Sequence, residues 1–407
     1  MHALGPNPRL LAALAAGLLL AATPPVRAEE PIVIVLSLDG VRHDAISPGQ
    51  FPAFDRMARS GARADRLVPP FPSNTFPAHA TLATGTHPDR HGILGNRFVD
   101  PQRGLFDYEN DASWFEAEPL WAAAERQGAR AATFFWVGSE TDWEGTGATL
   151  RVTPFDSGVP ESTKVDQILA WLDLPDTERP QLVMSWWHGV DATSHRKGPG
   201  EPAVAKQLAA QDAQLGRLLS GLDERGLWNA VTLVVVSDHG MAQGGQGIDA
   251  RGALEAAGIA GRVIPGGGMA HIYLDDPAAA DAAAAALGRL PGVTAYTRAT
   301  LPERLRARHR RAGDVVALAD PPRAFPGGRG LLARAAAWFG GPPGVHGHDP
   351  ETPEVQGIFF ALGRGVAPDT QLGTVHAVDV APTVAQLLAI DPPQDAEGHP
   401  RLGTTLP

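Results

Sequence analysis

Ser73-Asn74-Thr75-Phe76-Pro77-Ala78-His79 sets a hydroxyl residue just ahead of a helical stretch that begins near Pro77, and four other fragments hold what would activate it. Leu38-Asp39-Gly40 follows an apolar run, and Asp191-Ala192-Thr193-Ser194-His195, Ser237-Asp238-His239-Gly240 and Val345-His346-Gly347 lie downstream. Three Asp, three His and one Thr make the ligand inventory of a two-metal hydrolytic site with a metal-activated alkoxide. Threonine is a weak nucleophile at its ordinary pKa. With no Gly-x-Ser-x-Gly elbow in the chain, metal activation is the natural route. Asp191 and His195, at i and i+4, would share one helical face. Asp39 and Asp238-His239 emerge where strands end, and at such turns adjacent side chains can converge on one ion. Taken singly, a strand-end Asp is commonly a helix cap and an Asp/His pair a surface hydrogen bond; the recurrence of the pattern favours a site. Thr75 carries two compatible readings: an N-cap before a proline-started helix, and a nucleophile where free amides and the helix dipole favour an anion.

The elements that would position these residues are short, β-branched or aromatic runs ending in polar turns. They are Ile32–Ser37, Ala131–Trp136, Leu182–Trp187 and Val231–Ser237. Near-continuous apolarity predicts strands buried on both faces of a mostly parallel sheet. Helical stretches at Ala78–Thr84, Leu120–Gln127, Ser162–Leu172 and Ala203–Glu224 alternate with them, which predicts an α/β fold with helices on both sides. In such sheets ligands gather beyond the carboxyl ends of the strands, where these Asp and His residues fall. Between about residues 241 and 344 the pattern changes. Ala270–Leu274, Pro277–Leu290 and Val293–Arg298 predict a small α+β insertion, followed by a glycine- and proline-rich loop around Leu331–Phe339 that leads back to His346. Phe359–Leu362 and Val380–Ile390 close the core.

Arg9, the apolar run Leu10 to Ala22 and the small residues of Val26-Arg27-Ala28 read as an export signal over residues 1–28, too short to span a bilayer. Residues 29–407 would then be one exported catalytic domain, periplasmic or secreted, with no stable membrane span. The formal charge of −11 becomes −13 once Arg9 and Arg27 are removed, which excludes a nucleic-acid duplex as partner. A small anionic substrate would need a local cation against that mean field, and bound metal would serve. The chain has no cysteine, which is compatible with export.

Leu38-Asp39-Gly40-Val41-Arg42, Thr75-Phe76-Pro77-x-His79, Gly85-x-His87-Pro88-x-x-His91-Gly92-Ile93-x-x-Asn96, Phe134-Phe135-Trp136-x-Gly138-Ser139, Asp191-x3-His195, Ser237-Asp238-His239-Gly240-Met241 and His346-Gly347-x-Asp349-Pro350 together resemble the nucleotide pyrophosphatase/phosphodiesterase family of the alkaline phosphatase superfamily. The resemblance runs from about residue 31 to the C-terminus. It implies an alkaline phosphatase-like, three-layer α/β/α fold and two zinc ions. One would be held by Asp191, His195 and His346, the other by Asp39, Asp238, His239 and the Thr75 oxygen. Thr75 would be the nucleophile, and Asn96 with the Thr75 amide would stabilise the transition state. Nucleotide diesters or anhydrides would be cleaved to nucleoside 5′-monophosphate through a covalent threonyl intermediate.

Phe76 follows the nucleophile and Phe155 stands where relatives often carry Tyr; their faces could hold a nucleobase or simply fill core. Trp136 and Trp186 read as core aromatics near the site, and His79, His87 and His91 as supporting residues. Ser194 stands where the family usually has Gly. His348 stands where Tyr is frequent, which sets His346 against His348 as ligand, with His346 favoured because it precedes the Gly. A phosphomonoesterase or a non-nucleotide diesterase (a lipid headgroup, for example) on the same scaffold is the enzyme alternative. No arginine clamp or Mg²⁺ site of the alkaline phosphatase kind is assignable. The sulfatase motif fails at Thr75-Phe-Pro-Ala-His. A binding protein that lost turnover is the third reading, against which stands the intactness of all seven ligand and nucleophile positions.

Overall fold

The computed structural model describes residues 30–327 and 343–403. The predicted signal and most of the loop around Leu331–Phe339 lie outside the described residues. Fourteen strands build two main sheets and a hairpin: β1 (Ile32–Leu38), β2 (Ala62–Arg63), β3 (Arg97–Asp100), β4 (Gly104–Asp107), β5 (Ala131–Phe134), β6 (Leu150–Val152), β7 (Leu182–Trp187), β8 (Val231–Val236), β9 (Gly261–Pro265), β10 (Met269–Leu274), β11 (Val293–Thr297), β12 (Val315–Ala319), β13 (Phe359–Gly363) and β14 (Thr370–Gln371). The helices that matter here are α1 (Pro52–Ser60), α2 (Thr75–Thr84), α3 (Leu120–Arg126), α4 (Glu161–Leu172), α5 (Gly189–Lys197), α6 (Pro202–Glu224), α7 (Ala280–Leu287) and α8 (Val380–Leu388).

The large sheet runs β14-β2-β13-β8-β1-β7-β5-β6. It is parallel except where β13 pairs antiparallel with β8 and β2. Every residue of β1, β7 and β8 is buried, as an apolar run without alternation requires when helices cover both faces. One helical layer packs α1, α4 and α6 together; the other packs α2, α3 and α8. Register matters for function. Leu38 is paired with Trp187 and Ser37 with Val236, so β1, β7 and β8 end at one level and deliver the residues after them to one rim.

The second sheet runs β9-β10-β12-β11, all antiparallel. β10, α7 and β11 form a βαβ unit, and β12, which the sequence reading did not anticipate, is inserted between its strands. Alternation divides β10: Ala270, Ile272 and Leu274 join the small sheet's own core, while Met269 faces the main one.

Two predicted boundaries are corrected. β5 ends at Phe134, because Phe135 takes φ 61° and turns the chain out of the sheet. α2 begins at Thr75, with Asn74 rather than Thr75 in the N-cap position; Pro77 sits inside the first turn, where a missing N–H costs no helical bond.

Ile34, fully buried at the centre of β1, gives the test of this packing. Ile34→Ala should cost about 2–5 kcal/mol, read as a lower urea midpoint at unchanged slope.

Candidate metal centre and nucleophile

Asp39 is the first residue after β1, and its N–H donates to the Trp187 carbonyl at 2.9 Å. Gly40 takes φ 74°, and a Cβ there would stand 2.9 Å from the Cα of Asp191. Glycine therefore lets the β1 turn close on α5, and the Asp191 N–H donates to the Asp39 carbonyl at 3.0 Å. Gly40 N–H also donates to Asp238 Oδ1 at 3.2 Å, tying the ends of β1 and β8 together.

Three histidines are fixed by the same device. Nδ1 of His195 faces the Gly344 carbonyl (2.9 Å), Nδ1 of His346 that of Ser73 (3.0 Å) and Nδ1 of His239 that of Gly240 (2.8 Å). A carbonyl only accepts, so each Nδ1 carries a proton, and in the neutral imidazole each Nε2 turns a lone pair to the site. Those lone pairs converge. His195 Nε2 lies 3.3 Å from Asp191 Oδ1 and 3.1 Å from His346 Nε2, and His346 Nε2 lies 3.7 Å from Asp191 Oδ1. Alongside, His239 Nε2 lies 3.5 Å from Asp39 Oδ1, 3.2 Å from Asp238 Oδ2 and 3.3 Å from Thr75 Oγ1. His239 also comes within metal-sharing distance of Asp191 and His346, on whose ring it stacks at 3.9 Å.

These residues fit metal. Asp39 Oδ1, Asp238 Oδ2 and Asp191 Oδ1 are buried with no hydrogen-bond partner, and each is the oxygen facing a histidine Nε2. Zinc bonds of about 2.0–2.2 Å place tetrahedral ligand atoms about 3.3–3.6 Å apart, close to the separations here. The electrostatics agree: burial, then Asp238 and Asp191, hold the Asp39 carboxyl well above the usual range. Burial, then His239 and His195, hold His346 well below its own. Burial opposes ionisation of Asp191, but His195, His346 and His239 outweigh it and push its pKa down.

Trp186 and His79, read from sequence as core and support, orient this centre. Trp186 Nε1–H donates to Asp39 Oδ2 at 2.9 Å, which leaves Oδ1 for the site. His79 Nδ1 donates to the Thr75 carbonyl at 2.8 Å and lies 3.4 Å from Asp238 Oδ2. His91 instead bonds Thr81 within the core. Of the two histidines weighed from the sequence, His346 lies in the cluster, while His348 Nε2 faces the Arg323 carbonyl at 3.1 Å.

At the start of α2 the donors can be counted. Pro77 has none, and Phe76 N–H donates to Asn96 Oδ1 at 2.9 Å. Among the described residues, the Thr75 N–H is left as the first-turn donor without a bond. Asn96 turns its oxygen to Phe76, and its Nδ2 end lies toward the Tyr108 hydroxyl at the cavity of about 480 Å³ that Asn74, Asn96, Tyr108, His195, Gly266 and His346 help to line. Phe76 itself is 3% exposed and packs edge-on against Phe106 and Tyr108. Tyr108, 56% exposed at φ 55°, is the aromatic presented there, and no sequence spacing marked it. Phe155 is half-buried, with one face stacked on Trp186 at 4.6 Å.

Residues 33–344 match the family model for type I phosphodiesterase / nucleotide pyrophosphatase. The chain belongs to that family. It is 38% identical over 218 residues to an uncharacterised pyrophosphatase/phosphodiesterase of Schizosaccharomyces pombe, a match covering 52% of this chain and 44% of that protein. It is 28% identical over 398 residues to a venom phosphodiesterase of Crotalus durissus collilineatus, covering 94% and 47%. The chain thus spans less than half the length of these relatives. Murine ectonucleotide pyrophosphatase/phosphodiesterase 5 superposes with TM-score 0.80 at 26% identity, over 90% of this chain and 96% of that one. An inactive threonine-to-alanine variant of the murine protein, in complex with AMP, superposes equally well. The three-layer arrangement is the alkaline phosphatase-like fold that the sequence predicted.

Added zinc should raise the thermal midpoint with concentration, because a ligand of the folded state stabilises it. Gly40→Ala should reduce that rise; an equal rise in both proteins would detach the Asp39–Asp191 approach from metal binding.

Proposed function

We propose that this protein is an exported, two-zinc phosphodiesterase that cleaves nucleotide phosphodiester or phosphoanhydride bonds and releases nucleoside 5′-monophosphate. The observation that carries the reading is the convergence of Asp39, Asp238, His239, Asp191, His195 and His346 lone pairs beside Thr75 Oγ1, at a helix start that keeps one amide unbonded. The AMP complex of the murine relative supports a nucleotide substrate. Export rests on the signal-like residues 1–28; among the described residues no helix is long and apolar enough to cross a membrane.

Asp191, His195 and His346 would hold one ion, and Asp39, Asp238, His239 and Thr75 the other. When bound, the two ions supply Lewis acidity for the nucleophile and for the leaving oxygen. Thr75 Oγ1 forms a bond to phosphorus as the bond to the leaving oxygen on the opposite side breaks. Water then cleaves the Thr75–phosphorus bond, restoring the hydroxyl and freeing the monophosphate. Thr75 N–H and Asn96 Nδ2 donate to the phosphoryl oxygens as charge builds on them. The exposed face of Phe155, backed by Trp186, offers a stacking platform for the base, and Tyr108 takes the rim position that Phe76 leaves by being buried.

Metal content and turnover of p-nitrophenyl thymidine 5′-monophosphate against p-nitrophenyl phosphate test this together. Two zinc ions per chain and preference for the diester are expected; preference for the monoester would move the protein to the phosphatases. Thr75→Ala should keep the metal and lose about 10⁴-fold or more in kcat, and a normal rate would remove Thr75 from the chemistry. Phe155→Ala should weaken nucleotide diesters by about 1–3 kcal/mol while sparing a methyl phosphate diester, and equal losses on both would sink the stacking role.

A further inference from the structure

Asn96 is held from three directions, one of them the Tyr108 N–H, which donates to the Asn96 carbonyl at 3.0 Å. Its side chain is fixed by the Phe76 N–H, and the main chain around it is fixed by the small sheet. On β10, His271 is 2% exposed; its Nδ1 accepts from the Gly313 N–H (3.2 Å) and its Nε2–H donates to the Leu94 carbonyl (2.9 Å). Burial pushes its pKa down to about 4, so the ring keeps this single proton at neutral pH. Two residues along, on the same face of the strand, the Tyr273 hydroxyl accepts from the Val99 N–H (2.9 Å) and donates to the Arg311 carbonyl (2.7 Å). Arg311 is 2% exposed. Its Nη1 donates to the carbonyls of Gly92 (2.8 Å) and Trp114 (2.9 Å), and its Nε donates to Asp100 Oδ2 (2.6 Å). Its guanidinium also lies 5.6 Å and 5.4 Å from the Phe98 and Trp114 ring centres.

The pattern is directed. The opposite face of β10, through Ala270, Ile272 and Leu274, fills the small sheet's own core. His271 and Tyr273 instead reach main-chain groups two residues before and three residues after Asn96, and Arg311 ties both ends of the 92–100 segment, which runs into β3. We propose that His271, Tyr273 and Arg311 are positioning residues, through which the small sheet holds Asn96 against the first turn of α2 at the distance the phosphoryl oxygen requires. This rests on Asn96 acting as a phosphoryl donor.

The test is a double-mutant cycle on the zinc-loaded full chain with p-nitrophenyl thymidine 5′-monophosphate, comparing wild type, Tyr273→Phe, Asn96→Ala and the double variant. Tyr273→Phe keeps the ring and removes both hydroxyl bonds. It should lower kcat about tenfold, since small misplacements of reacting groups carry such costs, with KM within twofold and metal content unchanged. Hydrogen exchange should quicken at residues 93–99. In the Asn96→Ala background the same change should cost less than twofold, because the group being positioned is already gone. His271→Gln, whose amide can still donate to the Leu94 carbonyl, should keep most of the activity that His271→Phe loses. Equal loss from Tyr273→Phe in both backgrounds would show general destabilisation and overturn the proposal, as would an unchanged kcat. An Asn96→Ala variant with normal kcat would overturn the role of Asn96 itself, a result distinguishable from the other two.

Discussion

Lone pairs of like character face one another in the centre of this molecule: two histidine nitrogens 3.1 Å apart, and three unpartnered carboxylate oxygens beside them. Such an arrangement is unfavourable in a protein interior unless a cation shares it. The surrounding structure keeps it in place. The equal ends of β1, β7 and β8, the glycine at position 40 and the three carbonyls that hold the imidazole protons each restrict a ligand to one direction. Relaxing any one of them would let two lone pairs turn apart.

The residues of the cluster were legible because each is a local event in the sequence. An apolar run that stops at an aspartate ends a strand at the sheet's rim, and an Asp–His spacing of four puts both on one side of a helix. What stayed hidden depends on contacts between distant segments. The Trp186 indole reads as core because nothing nearby in sequence shows that Asp39 will lie against its N–H. β12 escaped notice although Gly313-Asp314 and Asp320-Pro321-Pro322 bound it, and a five-residue apolar run does not reveal that it will separate β10 from β11. Tyr108 owes its exposure to a left-handed turn, and Phe135 ends its strand through another. The early start of α2 was missed because Pro77 resembles a first helical residue when it is in fact the third.

Charge shapes the site on a second scale. The chain carries −11 overall, and three of its carboxylates gather at the rim of the sheet, where a phosphate would arrive. Bare, the site would repel its substrate. The neutral donors on hand, one backbone amide and one side-chain amide, direct an oxygen without offsetting its charge. A bound cation would therefore set the sign of the local field, and the protein's own groups its direction.

Trp186 serves two parts of the molecule at once. Its N–H holds Asp39, and its ring is the support on which Phe155 lies. A change at 186 would therefore reach both the carboxylate and the platform, whereas a change at 155 that leaves the indole in place reaches the platform alone. The two positions are thus unequal: the face that a ligand would meet can be reshaped at 155, while 186 is tied to the aspartate as well.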